Sequence, residues 1–200
     1  MRRSASKGFT LVELMVTLGV VAILATLVVP NLADFMRNSR LSSGVNDLLH
    51  SLNLARTEAI KRQTGSVVVC GSTAPTVANP ACTGNTFSGW FVFVDLNSNW
   101  VHDANEPVLE AHAPLDASVT VRTDPNNDIV SYAPTGFANL PGAAIPTNVL
   151  VFCDKRGVKP LGTLATARAL FISGTGRARS SNLYADIMTN ALPKVGGGCP

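Results

Sequence analysis

Lys7-Gly8-Phe9-Thr10-Leu11-Val12-Glu13-Leu14 separates two unlike kinds of sequence. Before it stands a short basic leader with Arg2, Arg3 and Lys7. After it, from Phe9 to Val29, every residue is apolar or small except for the hydroxyls of Thr10, Thr17 and Thr26 and the carboxylate of Glu13. At the rise of an α-helix that run reaches roughly 30 Å, the thickness of a bilayer core, so a transmembrane helix over 9–29 is expected. Glu13 is the anomaly, because a charge within hydrocarbon costs about 2.5 kcal/mol or more and is normally kept for a purpose. A secretory signal peptide would want an unbroken apolar core and a small-x-small cleavage site. An ordinary single-span anchor would leave Glu13 snorkelling toward an interface.

Working outward, Pro30 lacks an amide donor and predicts a kink where the helix leaves the membrane. The helix then continues over 30–64 as an amphipathic segment. Leu41, Val45, Leu48, Leu52, Ala55 and Ala59 recur at steps of four and three as one apolar stripe, Lys61 and Arg62 suit a last turn, and Gly65 suits the cap. From 65 to 200 the pattern becomes one of short Val-, Ile- and Phe-rich strands, separated by Pro, Gly and Asn: Ser66 to Cys70, Trp90 to Asp95, Val119 to Arg122, Ile129 to Tyr132, Val149 to Cys153 and Ala169 to Ser173. About 135 residues are enough to bury a core of their own. Gly196-Gly197-Gly198 reads as a closing loop. The expected class is α+β, with a long N-terminal helix packed on an antiparallel β-rich domain.

The formal charge of +3 comes from the leader: without Arg2, Arg3 and Lys7 the 16 basic residues fall to 13, against 13 acidic ones. Their distribution is uneven. Asp95, Asp103, Glu106, Glu110, Asp116, Asp124 and Asp128 face only Arg122 in the middle of the chain, whereas Lys155, Arg156, Lys159, Arg168, Arg177, Arg179 and Lys194 outnumber Asp154 and Asp186 near its end. An acidic middle and a basic end imply two faces with different partners. The basic leader places the domain on the oxidising side of the membrane, where disulfides persist. Four cysteines allow three pairings, of which Cys70 with Cys82 and Cys153 with Cys199 are favoured. No C-x-x-C spacing or His pair supports zinc.

The Lys7 to Leu14 stretch, with the apolar run and Pro30, closely resembles the class III signal of type IV pilins and type II secretion pseudopilins. The resemblance implies that a prepilin peptidase cuts between Gly8 and Phe9 and methylates the new terminus. It also implies that Glu13 pairs with the terminal amine of a neighbouring subunit during assembly, each charge relieving the other's desolvation. Arg168-Ala169-Leu170-Phe171-Ile172-Ser173-Gly174-Thr175-Gly176-Arg177-Ala178-Arg179, and the Gly89 to Asp95 strand with its Asn-rich loop, resemble the GspH/FimT branch. Within that branch the FimT proteins of natural transformation carry a Gly-Arg-x-Arg motif implicated in binding DNA, which Gly176, Arg177 and Arg179 fit.

Two arginines one residue apart beside glycines make a compact cationic pair for phosphates, and such contacts give salt-dependent, sequence-independent affinity. Lys155, Arg156, Lys159, Arg168 and Lys194 extend the expected patch. A solvated hairpin tip would use the same residues. Asp95-Leu96-Asn97-Ser98-Asn99 with Asp103 and Glu106 matches the oxygen positions of an EF-hand-like loop, but Trp100 stands where that loop wants Gly, and Asx-turns explain the same residues. Whether the loop holds calcium stays open, and neither a metal nor another cofactor is assigned. His50, His102 and His112 are scattered and no enzyme motif occurs, so no catalysis is expected.

The expectation is a minor pilin that binds DNA non-specifically for natural transformation. The alternatives are a GspH-like pseudopilin of type II secretion and a minor pilin that only primes pilus assembly. Other pilins, the prepilin peptidase, DNA and the inner membrane are the implied partners. The location is a single-pass inner-membrane protein with its C-terminal domain in the periplasm, carried into a pilus or pseudopilus on assembly.

Overall fold

The computed structural model describes residues 8–83, 87–124, 129–139, 148–196 and 198–199, the side chains of Leu27, Val28 and Pro30 excepted. The leader up to Lys7, Asp128 of the acidic stretch and Gly197 of the closing loop lie outside them. Two compact units are present, Met1–Asn38 and Ser39–Pro200.

Helix α1 spans Leu11–Arg62. Thr10 caps its start, its Oγ1 accepting the amide of Glu13 at 3.2 Å, which satisfies one of the four amides a helix N-terminus leaves orphaned. Glu13 lies in the first turn, where the helix dipole favours a carboxylate. In the first unit the apolar side chains point outward, with Phe9 83% and Leu11 74% exposed. The hydroxyls of Thr17 and Thr26 donate to Leu14 O and Ile23 O at 2.9 and 2.7 Å, so neither needs water. No single straight helix among the described residues is long and apolar enough to cross a membrane. Leu11–Thr26 and Asn31–Arg62 qualify only together, as a pair bent at the break that holds Pro30.

In the second unit, all six residues of the apolar stripe are buried, from Leu41 at 0% to Val45 at 2% exposed. Lys61 and Arg62 close the last turn on Glu58, which they hold below the usual carboxylate range, the Lys61 hydrogen bond being the largest cause. The helix turns off two residues before the expected cap: Gln63 is the first left-handed residue, at φ 57°. Gly65 is also left-handed, at φ 70°, and a Cβ there would sit 2.6 Å from Asp95 O, so this position needs Gly for closeness as well as conformation.

Among the described residues nine strands follow, all paired antiparallel: β1 Ser66–Ser72, β2 Gly89–Asp95, β3 Val108–His112, β4 Thr120–Thr123, β5 Ile129–Tyr132, β6 Asn148–Cys153, β7 Pro160–Leu161, β8 Leu164–Ile172 and β9 Ala178–Leu183. One sheet is ordered β3-β2-β1-β5, the other β4-β6-β8-β7 with β9 also paired to β8. Strand alternation sends Val67, Val69, Trp90 and Val92 of the first sheet and Leu150, Phe152 and Leu170 of the second into one core with the α1 stripe. The opposite faces are covered too. Val68, Cys70, Phe91 and Phe93 lie with Cys82 and Trp100, and Val149, Val151, Ala167 and Ala169 lie under Ile187, Ala191 and Val195 of the C-terminal segment. Each outer cover is fastened by one disulfide, Cys70–Cys82 on the first sheet and Cys153–Cys199 on the second.

Candidate nucleic-acid interface

The β8–β9 hairpin closes through Gly176 N to Ser173 O at 2.8 Å and Ser173 N to Arg177 O at 3.0 Å. Gly176 takes the left-handed position such a turn needs, at φ 77°, and a Cβ there would collide with Gly136 O. The reason for that closeness is Arg56. From α1 its Nε donates to Gly136 O at 3.0 Å and its Nη2 to Thr175 O at 3.1 Å, clamping two neighbouring turns, while Ala138 N donates to Gly174 O at 3.1 Å. Tyr132 is buried near the same guanidinium; burial pushes its hydroxyl well above the usual phenol range, with Arg56 opposing.

Beyond the turn the strand alternates. Ala178 packs toward the central core, and Arg177 and Arg179 are exposed on either side of it. Arg179 pairs across the strands with Phe171 and lies over its ring at 4.2 Å from the centroid, a cation–π contact. It also donates to Asp186 Oδ2 at 2.9 Å. That hydrogen bond, with a second from Asn190, draws the Asp186 carboxyl down to about 2. Arg177, Arg179 and Lys194 line one groove of about 410 Å³ with Asn148, Val149 and Phe171. Neither Arg177 nor Lys194 has a side-chain partner among the described residues.

A family model described as "Type II transport protein GspH" matches residues 44–176, and one described as "Prokaryotic N-terminal methylation motif" matches residues 3–29. The chain belongs to the GspH family. Two crystal forms of the Pseudomonas aeruginosa type IV minor pilin FimU are similar in structure. One shares 19% identity at TM-score 0.50 over 74% of this chain and 92% of that one. The other shares 18% at 0.48, over 70% and 92%. The fold is that of a type IV pilin, and the family is one of structural minor pilins and pseudopilins rather than of enzymes. The GspH match ends at Gly176, so Arg177, Arg179 and Lys194 lie beyond it.

For this GspH-family chain, the single basic patch expected from the sequence divides. Lys155, Arg156 and Lys159 belong to the other end of the second sheet, where Lys159 O accepts from Thr166 N. That end is about 17 Å from Arg179 along β8, by the rise of a strand over the five residues from Thr166 to Phe171. Arg156 is bound there to Asp154 at 2.6 Å. Arg168 stands opposite Phe152 on the core side of β8, in a separate hollow with Ser42, Asn46 and Ser181, and donates to Ala165 O at 3.0 Å. Burial lowers its pKa, with the charge of Arg156 adding to the effect. The acidic middle is equally divided: Glu110 accepts from Ser51 at 3.0 Å, and Asp116 is lowered by its hydrogen bonds from Ser118 and then by Arg40.

In the Asp95 to Glu106 loop the oxygens hold the loop itself. Asp95 accepts the amides of Asn99 and Trp100 at 3.2 and 3.0 Å, Glu106 those of Leu96 and Asp103 at 2.8 and 3.0 Å, and Asp103 the side-chain amides of Asn97 and Asn99. Trp100 takes the left-handed conformation at φ 59° without Gly. Among the described residues no three His, Cys, Asp or Glu side chains are grouped to hold a metal. Gly8 and Phe9 stand exposed just ahead of α1. Sequence reasoning missed Arg56 and Asp186, whose roles depend on partners 80 and 7 residues away.

Proposed function

We propose that this chain is a minor subunit of a type IV pilus that binds DNA without sequence preference, through Arg177 and Arg179, during natural transformation. The observation carrying the reading is the convergence of Arg177, Arg179 and Lys194 on one groove of the β8–β9 hairpin. Cations so placed neutralise phosphates and release counterions, a mechanism indifferent to base sequence. In this account the leader is removed after Gly8, Phe9 becomes the methylated terminus, and 9–29 holds the chain in the inner membrane before assembly. The segment from 30 to 64 is the outer half of the helix and 65–200 the periplasmic domain. Glu13 pairs with a neighbouring subunit's amine, and the working partners are other pilins, the prepilin peptidase and DNA.

A second reading, a pseudopilin of type II secretion, is favoured by the description of the family model that matches 44–176. A chromosomal Arg177→Gln, Arg179→Gln strain separates them. Lost transformation with normal piliation and secretion is the expected result, whereas lost secretion with normal transformation supports the pseudopilin. Unchanged transformation and secretion would contradict a role for the arginines in either.

A further inference from the structure

Resting on the DNA-binding reading, we propose that the C-terminal segment is the second wall of the DNA groove, with Lys194 a phosphate contact and the Cys153–Cys199 bond the strut that holds it in place. The segment comprises a short helical stretch, Tyr184–Asp186, and a π-helical turn, Ile187–Ala191, followed by turns over 192–196. It contributes three buried apolar side chains to the outer face of the second sheet, Ile187 at 0%, Ala191 at 0% and Val195 at 4% exposed. Lys194 stands next to the last of these and is exposed. Its backbone amide is fixed to Ala191 O at 3.0 Å, while its ammonium has no described partner.

The two walls differ in how freely they offer charge. On the hairpin, Arg177 has no side-chain partner among the described residues, but Arg179 is held by Asp186 and lies over Phe171. The second such cation facing the groove is thus Lys194, on the far wall. The floor between them is Val149 and Phe171. Asp186 belongs to the same C-terminal segment, so the segment both restrains one cation and supplies another. Beyond Val195 the chain has only Gly196, Gly197 and Gly198 before Cys199. The covalent link from Cys199 to buried Cys153 ties this end to β6.

The test is DNA binding by the full-length mature chain in detergent, with a fluorescent 30-base-pair duplex, from 50 to 200 mM salt. Removing one phosphate contact weakens binding at low salt and lowers the slope of log affinity against log salt by about 0.9, so the fourfold rise in salt costs the variant about 3.5-fold less affinity than it costs the unmodified chain. Lys194→Gln should show that change, and so should Cys153→Ala with Cys199→Ser. In a Lys194→Gln background the cysteine pair should cost nothing further, because the strut acts through Lys194. Wild-type affinity and slope in Lys194→Gln, with binding lost in Arg177→Gln, overturns this proposal and leaves the DNA-binding reading standing. Equal losses from the cysteine pair in both backgrounds overturn the strut, since a general loosening does not depend on Lys194. Absence of binding by the unmodified chain ends both readings.

Discussion

Asp186 sets how much charge Arg179 presents. Its carboxylate is drawn to about 2 by the Arg179 and Asn190 hydrogen bonds, below the ordinary value of 3.8. A carboxylate depressed on folding adds stability that is complete above its ordinary value and is lost as pH falls through the folded value. Protection factors of the amides of the C-terminal segment, taken against the intrinsic exchange rate at each pH, should therefore fall below about pH 4; protection unchanged down to pH 2 would show that the bond does not fasten it. Asp186→Asn keeps the shape and removes the charge. It should cost up to about 1 kcal/mol of stability while raising DNA affinity and steepening its salt dependence, because Arg179 is released. Weaker binding in that variant would mean that the ion pair positions Arg179 rather than restraining it.

At the scale of the element, the hairpin is held from behind by the helix. Arg56 bonds the carbonyls of Gly136 and Thr175, and Gly176 leaves no room for a Cβ beside Gly136 O. Gly176→Ala combines a left-handed backbone with that collision, so a loss of about 2 kcal/mol or more is expected by denaturant unfolding. Arg56→Ala should weaken DNA binding without removing a groove cation, leaving the salt slope near wild type. A slope reduced by a full contact would make Arg56 a phosphate ligand instead. Much of this scale was legible in advance. The α1 stripe was plain because five of its intervals are three or four residues, and β1, β2 and β6 because both faces of each are buried and so read as continuous apolar runs. β9, Ala-Arg-Ser-Ser-Asn-Leu, has no apolar period and owes its pairing to the turn before it. β3 and the two-residue β7 were equally hidden, lying half-exposed or exposed at their sheets. The basic patch was misjudged for a related reason. Proximity in sequence joined Lys155 and Arg168 to the arginine pair, whereas Arg168 stands on the core side of β8 and Arg177 and Arg179 lie toward the other end of the β8–β9 pair.

For the whole molecule, a pilin fold and the proposed DNA-binding surface make separate demands on one chain. The first unit exposes Leu11, Leu18 and Ile23 along a helix, a surface fit for lipid or for other helices rather than water. Glu13→Ala should leave cleavage after Gly8 nearly complete but reduce incorporation into filaments, because the helix still inserts while the neighbouring amine loses its counter-charge. Normal incorporation, measured on sheared filaments, would count against the pairing. The second unit is stapled over both outer sheet faces, which suits a domain working outside the cytoplasm. The most direct measurement is duplex DNA binding by the detergent-solubilised mature chain across a salt series, beside its Arg177→Gln, Arg179→Gln variant. The account predicts binding that weakens with salt and a slope reduced by up to about 1.8 in the variant, the equivalent of two phosphate contacts. An unmodified chain that fails to bind at low salt, or a variant that binds as well as the unmodified one, would contradict it.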